Sequence, residues 1–328
     1  MLEAQDLEDE IIELLIMKTK IPLPNSQTIA TLEEVCYPAN LVGYLISQFL
    51  AHGLIFRMQS LMEAVMRAIY EAVMKFEDDF VSAFWISNTY EMMCIVKTLR
   101  DSLSPVELAN QDDDSTAVSL AQVLSNLDLL MYEIYLGWIR ELKKRFSKMI
   151  VDAVIEHQSL QGYICKEGKG LWAAAWGVRN VPPRYTIDQL LNALSKVTKT
   201  LKCFYIDVSI ERQILTELIR FIGVFSFNHL LTRKSFSSWK RGIQINYNIS
   251  RLEEWCTTSN IVEAALHLQQ LLQISKLLTL SKQSPSDCET MFDVCFLLNP
   301  SQIKKILFLC DQGDFDSPVT GAFNSDIS

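Results

Sequence analysis

Glycine and proline are scarce in this chain of 328 residues, at 11 and 9. That scarcity excludes collagen-like and low-complexity chains and disfavours a turn-rich sandwich or barrel. Basic residues are outnumbered 30 to 39, for a net charge of −9. A chain of that sign is a poor bulk binder of nucleic acid, which needs many Lys and Arg to displace counterions. Apolar runs are short: one of the longest, residues 171–178, falls far below the ~20 residues of a membrane-spanning helix. The start, Met1-Leu2-Glu3-Ala4-Gln5-Asp6, lacks the basic-then-apolar pattern of a signal peptide. The eight cysteines form no C-x-x-C pair and read as buried thiols of a cytosolic protein.

What is present is apolar material in a helical rhythm. A hydrophobic fraction of 49% against 21% charged residues supplies a large core and rules out disorder as the main state. The length suits two domains or one large one. From Leu120 the apolar positions run Leu124, Leu127, Met131, Ile134, Trp138, Leu142, Phe146, Met149 and Ala153. Steps of three and four keep one stripe on one side of an α-helix nearly forty residues long, a spine for two halves. Ser104-Pro105-Val106-Glu107, Ser284-Pro285-Ser286-Asp287 and Asn299-Pro300-Ser301-Gln302 each place a cap, a proline and then a carboxylate or amide. Thr186-Ile187-Asp188-Gln189 is the same signal without proline.

Helical segments are expected over about 2–20, 39–56, 58–76, 79–100, 116–157, 186–206, 208–232, 249–258, 261–282, 285–297 and 300–311, with almost no strand signal. The expected class is all-α, a stack of antiparallel helices. The clearest breaks are 101–115 and 162–183. The division falls near 160, giving a first helical subdomain over 1–160 and a second over 161–328. No internal repeat of fixed period is present.

Motifs that carry chemistry are missing. There is no G-x-x-x-x-G-K-[ST], G-x-G-x-x-G, H-E-x-x-H or G-x-S-x-G. His52, His157, His229 and His267 lie far apart on amphipathic segments and read as structural. Cys288 and Cys295, seven apart, suit core packing better than zinc. Asp112-Asp113-Asp114 reads as a solvated helix start rather than a cation site. No catalytic residue, metal site or cofactor is assigned, and the chain is not expected to be an enzyme.

Two clusters remain. Arg140, Lys143, Lys144, Arg145 and Lys148 lie on the long helix, either as its solvated face or as a docking patch for an acidic partner. Residues 232–242 join two helices and interleave Arg233, Lys234, Lys240 and Arg241 with Phe236 and Trp239. Such a stretch either plugs a corner between helices or exposes interface anchors. Direct nucleic-acid binding is the weaker third option, with no long basic stripe to support it. Phosphorylation of Ser235, Ser237 or Ser238 beside these cations is a possible regulatory input.

The same stretch carries a resemblance. Residues 227–234 (Phe-Asn-His-Leu-Leu-Thr-Arg-Lys) and 238–255, beginning Ser238-Trp239-Lys240-Arg241-Gly242, closely resemble the dilute-domain signature of class V myosin tails. Asp78-Asp79-Phe80, the run Phe84-Trp85-Ile86-Ser87-Asn88-Thr89, residues 149–151 and 159–162, and 300–307 fit in order. The similarity covers about 78–318 and thins after Pro318, and Trp239-Lys240-Arg241-Gly242 is the fungal form. The resemblance implies two interlocked helical-bundle halves sharing a long helix, in the cytoplasm on the actin cytoskeleton. It implies docking of an adaptor protein or a Rab-type GTPase, with the motor ATPase and a dimerising coiled coil lying elsewhere in the polypeptide. Trp239, Tyr247 and Lys276 match the Rab-facing patch of vesicle-carrying fungal members. Where those members carry Gln, an aliphatic residue and a basic pair, this chain has Thr279-Leu280-Ser281-Lys282. That departure points to the fungal paralogue that carries messenger RNA through an RNA-binding adaptor, with no direct contact to nucleic acid or membrane.

Overall fold

A computed structural model describes residues 10–22, 30–74, 78–102, 111–165, 183–233, 236, 238–280 and 285–310. These residues form helices and connections, with no strand among them. In order they are α1 (Leu32–Val35), α2 (Tyr37–Ala51), α3 (Ile55–Val73), α4 (Asp79–Asp101) and α5 (Gln111–Ile150). Then follow α6 (Ile187–Cys203), α7 (Val208–Leu230), α8 (Trp239–Thr258), α9 (Gln269–Thr279), α10 (Pro285–Val294) and α11 (Pro300–Leu309).

The chain divides into two compact units. The first holds residues 1–141 and 196–211, the second 142–195 and 212–328. The division therefore falls inside α5, α6 and α7. In the first unit, Ala39, Val42 and Ile46 of α2 and Met58, Leu61, Met62 and Val65 of α3 are buried, as are Phe84, Trp85 and Ile86 of α4. Asn88 ties α4 to the α1–α2 corner: its Nδ2 donates to the Val35 carbonyl at 2.9 Å, and its Oδ1 accepts from the Ala39 amide at 3.1 Å. The run from 84 to 89 noted in the sequence is thus buried core.

The 40 residues of α5 span roughly 60 Å at 1.5 Å per residue. Of the stripe read from the sequence, Leu120, Leu127, Ile134, Trp138, Leu142, Phe146 and Ala153 are buried and Leu124, Met131 and Met149 are half-buried; Ile150, outside that stripe, is buried as well. A π-helical stretch, Val151–Glu156, continues it. Thr186 and Gln189 exchange side-chain and backbone bonds as a capping box at α6, and Asn299 and Gln302 do the same at α11. The pairs at Ser104 and Ser284 lie outside the described residues.

Three expectations change. Residues 239–248 are helix rather than connection, so α8 begins ten residues earlier than the pattern suggested. Its first half contains Gly242 and β-branched isoleucines, weak helix formers; burial of Ile245 and Ile249 and the Ser238 cap on the Arg241 amide stabilise it. The segment expected as one helix over 261–282 is a 3₁₀ stretch, Val262–Leu268, followed by α9. Of the expected helix over 2–20, residues 10–17 are helical, π-type over Glu13–Met17, and residues 2–9 lie outside the described residues. Among the cysteines, Cys36, Cys165, Cys256 and Cys295 are buried, but Cys94 is exposed.

Candidate functional site

The second unit is organised by a polar row along α8. Arg241, Gln244 and Asn248 sit at positions i, i+3 and i+7 and are all buried, Arg241 to 1% exposure. They clamp the segment that follows α5. The Arg241 guanidinium donates through Nη1 to the carbonyls of Ile155 at 3.1 Å and Glu156 at 2.9 Å. Gln244 donates to the carbonyls of Leu160 at 2.7 Å and Tyr163 at 3.2 Å and accepts from the Leu160 amide at 3.1 Å. Asn248 donates to the carbonyls of Val154 and His157, both at 3.1 Å. The last carbonyls of the π-helical stretch have no partner within it, and those of the irregular segment beyond it need partners too; these three side chains supply them. Sequence reasoning placed Arg241 in an exposed patch; the structure places it in the core. It missed Gln244 and Asn248, although polar residues on a face shared with Ile245, Ile249 and Leu252 were the available signal.

Trp239, by contrast, is only partly covered. The Tyr163 ring meets it edge-on, with centroids 6.1 Å apart and planes at 87°, and Lys240 Nζ lies 5.5 Å from the indole centroid. Tyr163 and the adjacent Ile164 are exposed, and neither was flagged in the sequence. Arg233 is exposed, its guanidinium 5.5 Å from the ring of buried Phe236. Phe236 therefore plugs the corner while Trp239 faces outward in part. Tyr247, two turns along α8, is half-buried and bonds the Arg251 side chain, which also pairs with Asp188 at 2.9 Å. Lys276 is exposed on α9, which α8 meets at Gly242. Lys234, Ser235, Ser237, Ser281 and Lys282 lie outside the described residues.

On α5, Arg140, Lys144 and Lys148 are exposed. Lys143 differs. It is half-buried, bonded to Glu217 of α7, and 5.7 Å from the Phe221 ring. Arg220 also binds Glu217 through two bonds of 2.7 Å. The bonds from Arg220, then that from Lys143, hold the Glu217 carboxyl down at about 2 against partial burial. A depressed carboxyl stabilises the fold above its ordinary value of 4.5 and loses that contribution as pH falls towards about 2. Urea unfolding of Glu217→Gln should therefore differ from wild type at pH 6 and converge with it near pH 2.

Electrostatics separate the units. The first holds 24 acidic and 11 basic residues, the second 15 acidic and 19 basic. The acidic balance of the chain thus belongs to the first unit alone, and the aromatic and cationic surface lies in the second. Burial pushes the Cys256 thiol up to about 12 and Cys295 up to about 11. No group of three metal-ligating residues occurs among the described residues, and no described helix is long and apolar enough to cross a membrane.

Comparison with known proteins agrees with this picture. The DIL domain model matches residues 213–313. Myosin-2 of Lachancea kluyveri is 30% identical over 325 residues, covering 97% of this chain and 21% of that protein. Unconventional myosin-Va of Homo sapiens is 28% identical over 274 residues, covering 81% and 15%. The chain spans about a fifth of the length of the curated relatives first matched. Among solved structures, Myo2-GTD in complex with Mmr1 superposes with a TM-score of 0.85 at 25% identity, covering 98% of this chain and 79% of that one. The Myo4p globular tail shares the fold, with a TM-score of 0.72 at 19% identity over 99% and 86%.

Proposed function

We propose, from the premise that this chain belongs to the DIL-domain globular tails of class V myosins, that it docks an adaptor protein and so couples cargo to an actin-based motor. The chain matches the tail region of those myosins and not the motor head. Motor ATPase activity is thus assigned to a part of the polypeptide outside this sequence. Solved Myo2 tails of the same fold carry Mmr1, Inp2 or Smy1, which supports protein adaptors as the partner class here. The observation that carries the reading is the Tyr163–Trp239–Lys240 cluster, an aromatic and cationic surface on a rigid clamp within a net-basic unit. Such a surface fits a partner segment that is acidic and carries an apolar side chain. The motor would be dimeric through a coiled coil elsewhere in the polypeptide, and cytoplasmic.

For the cargo, we favour a messenger ribonucleoprotein held through an RNA-binding adaptor, because Thr279 to Lys282 departs from the Rab-binding pattern. The second reading, Rab-dependent vesicle transport, is supported by Trp239, Tyr247 and Lys276, which match the Rab-facing pattern. Mass spectrometry of cytosolic proteins retained by this chain, followed by binding of purified Rab loaded with GTP or GDP, separates them. Nucleotide-dependent Rab binding reverses the preference. Trp239→Ala should weaken the retained partner at least about 30-fold, roughly 2 kcal/mol, with an unchanged helical spectrum. Unchanged affinity in a folded variant removes Trp239 from the site.

A further inference from the structure

Helices α2, α6 and α8 end in the same way. An amide just beyond each end reaches back to a carbonyl of the last turn: Leu54 to Phe49 at 2.8 Å, Ile206 to Leu201 at 3.1 Å and Ile261 to Cys256 at 3.0 Å. The residue before each amide is left-handed, with φ of 67° at Gly53, 53° at Tyr205 and 58° at Asn260. Glycine and asparagine are the usual occupants of that position, and a tyrosine there is strained. Tyr205 is 44% exposed, and its hydroxyl donates to the Ala30 carbonyl at 3.0 Å, just before α1. That bond occupies only the hydroxyl; the ring stays at the surface.

Three elements of the first unit meet around that ring. Phe204 packs edge-on against Phe80 and Phe84 of α4. One turn further along α4, Ser87 and Asn88 meet the α1–α2 corner at Cys36 and Val35. The α6–α7 connection and the start of α1 thus lie side by side on α4. Leu32, Tyr90, Tyr205 and Val208 are exposed there, Val208 to 65%. Asp207, ahead of burial, pushes the Tyr90 phenol above its ordinary value of 10, and so stands beside it. Glu33, Glu34, Glu91 and Glu211 add carboxylates, against the cations Lys97 and Lys202. We propose that this face of the first unit is a second docking surface, which takes a cationic protein segment bearing an apolar side chain, with Tyr205 and Tyr90 as anchors. Exposed aromatic rings rimmed by charge of one sign are the make-up of an interface centre, and the sign selects the partner. The whole unit reinforces it, with 24 acidic residues against 11 basic. Its chemistry is opposite in sign to that of the Tyr163–Trp239–Lys240 cluster.

Random displayed peptides of about 16 residues, roughly 24 Å as a helix, are selected on this chain after depletion on its Glu33→Lys variant. The survivors should be net basic and carry an aromatic or branched aliphatic side chain. As synthetic peptides they should protect the amides of residues 30–36, 90–94 and 204–208 from exchange and lose affinity as salt rises. They should bind Tyr205→Ala at least about tenfold more weakly, with an unchanged helical spectrum. If that variant does not fold, Tyr205→Gly, which relaxes the backbone, takes its place. Trp239→Ala should bind these peptides as wild type does, so this surface and the cluster in the second unit fail independently. Neutral or acidic survivors, a footprint elsewhere, full affinity for the folded Tyr205 variant, or no survivors at all overturn the proposal.

Discussion

Replacing Arg241 with methionine should lower the stability of the second unit by about 3–5 kcal/mol, a loss well above the usual effect of a surface substitution. The guanidinium is 1% exposed and donates to two carbonyls at 3.1 and 2.9 Å. Methionine fills much of the volume but donates nothing, so both carbonyls lose a charge-assisted bond. Arg241→Lys should recover only part of the loss, because a single ammonium cannot reproduce the planar fork. Amide exchange of α8, which isolates this unit, together with urea unfolding, measures both variants. A loss below about 0.5 kcal/mol would mean that Arg241 is a surface residue, as its charged neighbours first suggested.

That mistaken expectation shows where the sequence stopped being readable. The buried stripe of α5 is local and periodic, so Leu120 to Phe146 could be read directly, as could the capping pairs at Thr186 and Asn299. Arg241 could not. It stands among Arg233, Lys234 and Lys240, and its acceptors are backbone carbonyls about 85 residues away, which leave no mark in side-chain identity. Lys143 is the same case. In the sequence it is one cation of five, and only folding brings Glu217 to it. Trp239 and Lys240 are neighbours in the sequence and their side chains meet in the fold, the ammonium 5.5 Å from the indole centroid, but Tyr163 reaches them only through the clamp made by Gln244. Within the four-residue signature, Trp239 and Lys240 form the outward surface and Arg241 holds the connecting segment. Gly242 has a separate task that composition alone does not reveal.

Helix propensity predicts that Gly223→Ala, within α7, should stabilise the protein by up to about 1 kcal/mol. We expect the opposite, a loss of about 2 kcal/mol. A Cβ on Gly223 would stand 2.5 Å from the carbonyl oxygen of His267 and 3.3 Å from its carbon. Both are backbone atoms of the 3₁₀ stretch, so the clash is relieved only by moving that stretch off α7, and overpacking of this kind costs about 1–3 kcal/mol or more. Gly242→Ala should lose nearly as much. Its Cβ would meet the Leu278 Cβ and the Ser275 carbonyl oxygen, each at 2.8 Å, where α9 packs on α8. Gly43→Ala is the control. Its contacts, at 2.8 and 2.9 Å, are to Cγ2 and Cδ1 of half-exposed Ile95, side-chain atoms that can turn aside. Its propensity gain and its clash should roughly cancel. Thermal and urea unfolding of the three variants should therefore rank Gly223→Ala and Gly242→Ala well below Gly43→Ala. A stabilised Gly223→Ala would show that α7 and the Val262–Leu268 stretch lie farther apart than described, and that propensity rather than close approach governs this glycine.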